Sequence, residues 1–263
     1  MINAKNIYKK FTHPVKDLEV LKNFIFKKNF KKNLKANEFF SLHDINFEIE
    51  NGENVLVIGN SKSGKTTLYS ILNEKINYDY GILNISKSIF SNNFCKFPHN
   101  MMPRASLNEF IEVLVAFNNN FDLKFRNFHL KNFIIKDLDL NKEDLNKNFY
   151  DFSINLHRNI ILSLACYTGH KIYLFDNWGF KFDDFGQNII QNFVSQKKNE
   201  INIFFGNADE DFVFKYIDKI IILEDGKLSS CKKINDYDKE FLLKNLKNYK
   251  SQSEDLVEID DEA

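Results

Sequence analysis

Residues 59–66 constrain this chain more than any other segment, because they match the pattern G-x-x-x-x-G-K-[ST]. The apolar run 54–58 before them predicts a buried strand, and residues 67–72 after them predict the start of a helix. In such a unit the loop N–H groups point at the β- and γ-phosphates of a nucleotide, and the helix dipole favours the anion. The alternative is a chance match in a turn, and the strand and helix in register argue against it.

Each residue of this phosphate loop has an expected part in nucleotide binding. The Lys65 ammonium places a point charge on the phosphates, and the Thr66 hydroxyl is the expected Mg²⁺ ligand. The predicted nucleotide-binding residues are Gly59, Asn60, Ser61, Lys62, Ser63, Gly64, Lys65, Thr66 and Thr67.

A second motif supplies a carboxylate for the same metal. Residues 172–175 are all apolar and predict a buried strand, and Asp176 follows them directly. A carboxylate at the end of a strand beside a phosphate loop holds Mg²⁺ through water. The motif is a weak signal alone, and its pairing with the phosphate loop makes it a strong one.

Composition narrows the function classes. The 263 residues suit one large domain or two small ones, and the formal net charge of zero predicts no nucleic-acid partner. Three cysteines without metal-ligand spacing are typical of reduced thiols in a cytosolic setting. No signal peptide opens the chain and no apolar run approaches about 18 residues, so we expect no transmembrane segment of its own.

Charge is distributed unevenly at the two ends. Residues 1–40 hold ten Lys against three acids, a balance of +7, and residues 16–35 form a basic amphipathic pattern. That segment could meet anionic lipid or a membrane subunit, or it could be a solvated helix packed on the domain. The last thirteen residues hold six acids and no base, which predicts a disordered tail.

Hydrophobic periodicity predicts strands that alternate with helices around the phosphate loop. Strands are expected near 5–11, 39–50, 81–88, 171–175, 201–205 and 219–228, and helices at 106–117, in pieces over 121–149, and at 156–166 and 184–196. The first of these strands is expected at a sheet edge, and residues 106–109 form a capping box. The pattern implies an α/β sheet with a helical insert between roughly 90 and 165.

Over about residues 1–230 the chain resembles the ATP-binding subunits of ABC transporters. The resemblance is carried by Phe11, the phosphate loop, the Asp176 strand, Asp183 at the family's D-loop position, and residues 222–228, similar to the closing "LE-x-G-K" hairpin. It implies an ABC-type nucleotide-binding domain of the P-loop NTPase class, with a mixed sheet core and an inserted helical subdomain. The implied domain covers 1–240, followed by a C-terminal extension, 241–263.

The resemblance also implies a cofactor set and partners. It implies that the chain binds ATP and Mg²⁺, that Phe11 stacks on adenine, and that Asp183 belongs to the catalytic machinery. Phe11 could instead be a plain core or edge residue. The implied partners are a second ATP-binding subunit and a membrane permease, at the cytoplasmic face of the inner (plasma) membrane. The segment between Phe11 and Phe39, with residues 41–47 and 106–111, looks like the branch that exports capsule, O-antigen or teichoic acid.

The departures from the family pattern concern hydrolysis. At the signature loop, Ser153 is kept, whereas Ile154 and Asn155 replace two glycines. Asn177 stands where a catalytic Glu is usual, and an amide cannot accept a proton from water at neutral pH. Asn207 stands at the position of the switch histidine. The region 91–94, where the family's glutamine loop is expected, contains no Gln.

Three functions fit these observations. We expect an exporter subunit that binds nucleotide firmly and hydrolyses it slowly or only with a partner. The first alternative is a regulatory or structural nucleotide-binding subunit paired with an active ATPase. The second is a soluble ABC protein of ribosomes or DNA repair. Such proteins usually carry two cassettes or a long coiled-coil insert, and the sequence shows neither.

Overall fold

The structure is a computed structural model that describes residues 1–12, 38–92, 105–118, 124–176, 184–206, 208 and 210–246. The basic segment 16–35 and the acidic tail predicted from the sequence lie outside the described residues. None of the described helices is long and apolar enough to cross a bilayer.

A six-stranded mixed sheet forms the centre of the domain, in the order β5-β6-β7-β3-β8-β9. The first five strands in this order are parallel and β9 is antiparallel to β8. The strands are β3 (Asn54–Ile58), β5 (Ile89–Ser91), β6 (Ile172–Phe175), β7 (Ile201–Phe205), β8 (Lys219–Glu224) and β9 (Lys227–Lys233).

A three-stranded antiparallel sheet, in the order β2-β1-β4, packs beside the first. Its strands are β1 (Ile2–Thr12), β2 (Glu38–Ile49) and β4 (Tyr80–Asn84). The buried positions of β2 shift from even to odd numbers between Leu42 and Ile45, because a bulge there places Asp44 at φ 57. The Asp44 carboxylate accepts a hydrogen bond from the Asn6 side-chain amide at 2.8 Å, and this bond joins β1 to β2 at the bulge.

Along the chain, helices alternate with the strands, and they cover the faces of the large sheet. They are α1 (Lys65–Leu72), α2 (Leu107–Asn118), α3 (Lys124–Asp137), α4 (Lys142–Asn146), α5 (Ile154–Tyr167), α6 (Asp184–Gln196) and α7 (Glu210–Tyr216), with residues 239–246 also helical. The helices α2 to α5 fall between β5 and β6 in the chain, where the sequence predicts a helical insert.

The central strands are buried on both faces, which explains why they are nearly all apolar rather than alternating. The exceptions are Asn54 and Asn202, whose side chains hydrogen-bond to each other at 2.8 Å. On one face Phe175 and Phe204 pack with α5, α6 and α7. On the other face Leu174 and Phe205 pack with α1 and with the three-stranded sheet. The phosphate-loop strand β3 is therefore held in the middle of two hydrophobic layers.

Most of the elements predicted from the sequence are confirmed, as is the α/β architecture with a mixed sheet. The capping box is also confirmed, since Glu109 accepts from the Ser106 N–H at 2.8 Å and Ser106 Oγ accepts from the Glu109 N–H. One expectation was wrong, because β1 is the central strand of its sheet rather than an edge. Two short elements were not predicted, the three-residue strand β5 and the seven-residue helix α7, because such short segments show little periodicity.

The aromatic layer under the sheet leads to a stability prediction. Phe204 is fully buried, stacks on Phe175 with ring centroids 5.1 Å apart, and meets the Phe212 ring edge-on at 5.4 Å. Phe204→Ala removes these contacts and leaves a cavity, so we expect it to lower the free energy of unfolding by about 3–5 kcal/mol. The matched control Phe241→Ala, at a ring 51% exposed, is expected to cost about 0.5 kcal/mol. Urea unfolding followed by circular dichroism checks both, and equal losses would contradict the layer described.

Candidate functional site

The phosphate loop connects β3 to α1 at the carboxyl edge of the six-stranded sheet. The strands β6 and β7 end at the same edge, because both run parallel to β3. In open α/β sheets this edge is where ligands bind. Asp176 follows β6, so the fold brings the two predicted motifs to one place, with β7 between them.

Two glycines let the loop backbone pack closely against its neighbours. A Cβ on Gly59 would overlap the Leu223 carbonyl oxygen and lie 2.6 Å from Ser63 Oγ. Gly64 has φ +99, and a Cβ there would lie 2.7 Å from both the Ser41 carbonyl oxygen and the Leu42 side chain. Any side chain at these positions would therefore displace the loop.

The β8–β9 turn holds the loop from one side. The Gly226 N–H donates to the Ser63 carbonyl at 3.2 Å, and the Gly226 carbonyl accepts from the His43 N–H at 2.7 Å. One glycine thus joins the loop to β2. The hairpin that resembles the family's closing motif consequently has a structural part in shaping the phosphate loop.

The helix α1 begins at Gly64 without a side-chain cap. The first N–H groups of a helix have no partner inside it, and a cap normally satisfies one of them. With no cap here, these donors and the positive end of the helix dipole are directed at the loop. This arrangement suits an anion such as a phosphate.

Lys65 lies across the loop, with its ammonium donating to the Gly59 carbonyl at 2.6 Å and the Asn60 carbonyl at 2.8 Å. Burial lowers the pKa of Lys65, and the nearby Asp176 carboxylate opposes that change. Lys65 on the first turn of α1 and Asp176 after β6 lie at the same carboxyl edge of the sheet and carry opposite charges.

The remaining loop residues differ in exposure. Asn60, Ser61, Lys62 and Thr66 are exposed, whereas Ser63 is buried. The Thr67 and Ser41 hydroxyl oxygens lie 2.6 Å apart in a hydrogen bond, which ties α1 to β2. Thr66 is exposed on the first turn of α1, next to Lys65.

Asp176 is 7% exposed, and its backbone is held by a residue that sequence reasoning missed. The Asn92 amide donates to the Asp176 carbonyl oxygen and accepts from the Asp176 N–H, both at 2.8 Å. Asn92 lies in the region 91–94, where the resemblance implied a functional amide. The sequence signal that could have identified Asn92 is its position, since it is an amide residue in a region where the family has Gln and this chain has none.

The site fits a nucleotide phosphate with Mg²⁺. Its oxygen donors are the Asp176 carboxylate and the Thr66 hydroxyl, and hard oxygen ligands are what Mg²⁺ prefers. Within the described ranges, no group of three or more His, Cys, Asp or Glu could hold a metal ion alone. Mg²⁺ usually takes only one or two carboxylates from a protein and completes its shell with phosphates and water.

Phe11 is 37% exposed, which excludes the core alternative. It pairs across strands with Phe39, the two ring centroids lie 6.1 Å apart, and Lys9 Nζ lies 5.4 Å from the Phe11 ring. Ser41, which bonds to the phosphate-loop helix, is two residues from Phe39, about 7 Å along the strand. The aromatic pair therefore lies at the loop end of β2, and adenine stacking stays a prediction.

Ser153 is the exposed N-cap of α5, and its Oγ accepts from the Leu156 N–H at 3.3 Å. Among the described residues, no hydrogen bond or ion pair joins Ser153 to the phosphate loop. The neighbouring His157 is half-buried. Its ring stacks on Phe149 at 3.8 Å, and Nε2–H donates to the Phe149 carbonyl at 2.9 Å.

Three predicted catalytic residues, Asn177, Asp183 and Asn207, lie outside the described residues. Their roles stay predictions from the resemblance. The residue that precedes is described for two of them. Asp176 precedes Asn177, and the Gly206 N–H before Asn207 donates to the Val57 carbonyl at 3.1 Å, which joins the ends of β7 and β3.

The loop geometry predicts the effect of adding one methyl group. Gly59→Ala places a Cβ against the Leu223 carbonyl, so the loop must move, and we expect nucleotide affinity to fall by at least about tenfold. The control is Gly169→Ala, where a Cβ meets nothing within 4 Å and affinity should stay unchanged. Titration with a fluorescent ATP analogue measures both, and unaltered binding by Gly59→Ala would contradict this loop geometry.

The His157 environment predicts a pH dependence of stability. Burial lowers the pKa of His157, partly opposed by its bond to the Phe149 carbonyl, so the unfolded chain takes up the proton first, near pH 6.5. The contribution of His157 to the free energy of unfolding is therefore fully present above about pH 6.5 and is lost as the pH falls below that value. We expect His157→Phe to lose less unfolding free energy than the parent chain between pH 7.5 and 5.5. Urea unfolding at both pH values measures this, and identical losses would count against it.

Comparisons with known proteins agree with this site. A family model described as "ABC transporter" matches residues 42–179, just over half of the 263-residue chain. The lacticin-481/lactococcin-DR transport/processing ATP-binding protein of Lactococcus lactis subsp. lactis is 25% identical over 224 residues. That match covers 78% of this chain, which spans about 30% of that relative's length.

Solved structures share the fold. The ATP-binding cassette MJ0796, in a dimeric post-hydrolysis state bound to ADP and Pi, superposes with a TM-score of 0.66 at 17% identity, over 90% of this chain and 100% of its own. An ATP-binding subunit of an ABC transporter gives a TM-score of 0.60 at 15% identity, over 92% of this chain and 94% of its own. With the family model and the phosphate-loop geometry, these matches lead to one conclusion: the chain belongs to the ABC transporter family and is an ATP-binding domain of its P-loop NTPase fold.

Proposed function

We propose that this chain is the ATP-binding subunit of an ABC exporter, working at the cytoplasmic face of the plasma membrane beneath a permease. The observation that carries the proposal is the placement of the uncapped start of α1, with Lys65 on its first turn, and of the buried Asp176 at the same edge of the sheet. This combination provides donors for phosphates and a carboxylate for a cation. A fold of this kind converts nucleotide binding into movement of a partner when two copies or two homologous subunits close on the nucleotide.

The chain's own residues divide the binding work. The loop N–H groups and Lys65 hold the phosphates, and the exposed Phe11 offers a face for adenine. Thr66 and Asp176 would hold Mg²⁺, which neutralises phosphate charge when bound. Lys65 must leave the Gly59 and Asn60 carbonyls to meet a phosphate, so part of the binding energy replaces those bonds.

A second subunit would complete each site. Ser153 is exposed at the N-terminus of the 14-residue helix α5, where helix donors favour an anion, yet it makes no contact with its own phosphate loop among the described residues. We infer that Ser153 faces the nucleotide bound by the other subunit. The MJ0796 cassette is dimeric in the solved structures that this chain resembles, which supports the arrangement.

Hydrolysis is expected to be slow or to depend on the partner. Asn177 and Asn207 stand where the family has its water-activating Glu and switch His. A positioned general base contributes about 10²–10⁴ in rate, and an amide supplies none of that proton transfer. The alternative function, a regulatory or structural subunit paired with an active ATPase, rests on the same two residues.

The cargo is proposed to be a polysaccharide or related polymer. The support is the long segment between Phe11 and Phe39 and the motif at residues 41–47, which lies on β2 beside the phosphate loop. A peptide cargo is the second candidate, because the relative from Lactococcus lactis is by its name a transport and processing protein for lacticin. Purification from detergent-solubilised membranes separates these, since the permease recovered with the chain identifies the exporter class. Recovery of no permease would contradict the exporter proposal.

ATP turnover tests the proposed mechanism. We expect the purified chain with Mg²⁺ to bind ATP and to show little Lys65-dependent turnover, because Asn177 cannot take a proton from water. Asn177→Glu should raise turnover by at least about tenfold, whereas Asn177→Gln, which has the same length and no charge, should not. A coupled ADP-release assay measures the rates.

The controls separate the possible causes. Lys65→Ala should abolish binding and any turnover, which rules out a contaminating ATPase. Rapid Lys65-dependent turnover by the unmodified chain would contradict the slow-hydrolysis proposal and indicate that another group organises the water. Equal turnover by Asn177→Glu and Asn177→Gln would show that position 177 does not control the chemistry.

A further inference from the structure

We propose that Asn92 is a positioning residue that fixes Asp176 for cation binding and links it to the phosphate-loop helix through Tyr69. The inference rests on the proposed nucleotide site and adds to it the hydrogen bonds of Asn92 and Tyr69, which no sequence motif shows. Its basis is the set of hydrogen bonds that converge on one amide at the end of β5.

The Asn92 amide makes a two-point contact with the backbone of Asp176. Its Nδ2 donates to the Asp176 carbonyl at 2.8 Å, and its Oδ1 accepts from the Asp176 N–H at 2.8 Å. Both polar groups of one peptide residue are thus satisfied by a single side chain. This contact fixes the backbone from which the Asp176 carboxylate extends.

The contact continues the sheet beyond the end of its strands. In the β5–β6 pair, Ser91 is opposite Leu174 and is the last residue of the ladder. Backbone pairing stops there, two residues before Asp176. The Asn92 side chain has the donor and acceptor of a peptide group, so it supplies the next pair of bonds in place of the backbone.

Tyr69 connects this contact to the phosphate loop. Its hydroxyl donates to Asn92 Oδ1 at 3.1 Å, and its side chain is 1% exposed. Tyr69 lies on α1, four residues after Lys65, and its ring meets Phe205 at the end of β7 edge-on at 5.4 Å. One buried tyrosine on the helix that carries Lys65 therefore contacts both Asn92, which holds Asp176, and Phe205 at the end of β7.

Only an asparagine satisfies all three bonds. An aspartate at position 92 could accept from Tyr69 and from the Asp176 N–H, but its second oxygen would face the Asp176 carbonyl and add a negative charge. A glutamine would carry the amide one methylene further. Alanine would leave a buried N–H and a carbonyl of Asp176 unpaired. Each change should loosen the carboxylate while leaving the phosphate loop in place.

The test separates metal-dependent from metal-independent nucleotide binding. A fluorescent ATP analogue is titrated with the full chain, first in EDTA and then in Mg²⁺, and Mn²⁺ binding to the complex is followed by electron paramagnetic resonance. For Asn92→Asp and Asn92→Ala we expect affinity in EDTA to stay within about twofold. The increase in nucleotide affinity from EDTA to Mg²⁺ should be about 10–100-fold smaller than in the parent chain, and the Mn²⁺ affinity should fall by a similar factor. This is the usual effect of losing a residue that orients a metal ligand. Tyr69→Phe should lower both by about 2–10-fold.

Matched controls use the same chemistry elsewhere in the chain. Tyr237→Phe removes a tyrosine hydroxyl that bonds to Ser230 and to the Ile220 carbonyl, and Asn141→Asp changes a helix cap. Neither should alter metal-dependent binding. Thermal melts establish that every variant is folded at the assay temperature.

The outcomes are distinct. Variants that lose binding equally in EDTA and in Mg²⁺ would show a merely structural role and overturn the inference. Variants that keep the full gain from metal would overturn it as well. A parent chain that binds no nucleotide under either condition would instead overturn the proposed function, on which this inference rests.

Discussion

The start of helix α1 is the constraint on which the rest of the site depends. Its first N–H groups need a partner, and the chain provides no side-chain cap. The loop that precedes it is packed so closely that Gly59 and Gly64 have no room for a Cβ. These two conditions leave a pocket of backbone donors, and a phosphate is the ligand that satisfies them best.

The hydrophobic layers hold this pocket in shape. The strand β3 is buried on both faces, between an aromatic layer with Phe204 and a second layer with Tyr69 and Phe205. The loop emerges from this buried strand, so its position is fixed by packing on both faces of the sheet. Packing energy thus maintains a local arrangement that would be unfavourable in isolation, a common property of binding sites.

The amide chemistry of the chain is consistent across the site. Asn92 lies at the nucleotide edge of the sheet, in the region 91–94 where the resemblance implies a glutamine loop, and the sequence has Asn177 and Asn207 where the family has Glu and His. At position 92 the structure shows what an amide does well, since it pairs with a backbone donor and acceptor at once. An amide can thus position a backbone, whereas it cannot take a proton from water.

The sequence by itself determined the local features. The phosphate loop, the apolar strands and the capping box at Ser106 each depend on residues close together in the chain, so their patterns predicted them. Only the tertiary structure decided which elements meet. Examples are the pairing of the short strand β5 and the central place of β1 in its sheet. The bonds of Asn92 are another example, since they join it to Asp176, 84 positions away, and to Tyr69, 23 positions away. No periodicity records such contacts, because they arise from sheet order and packing, which local propensity does not determine.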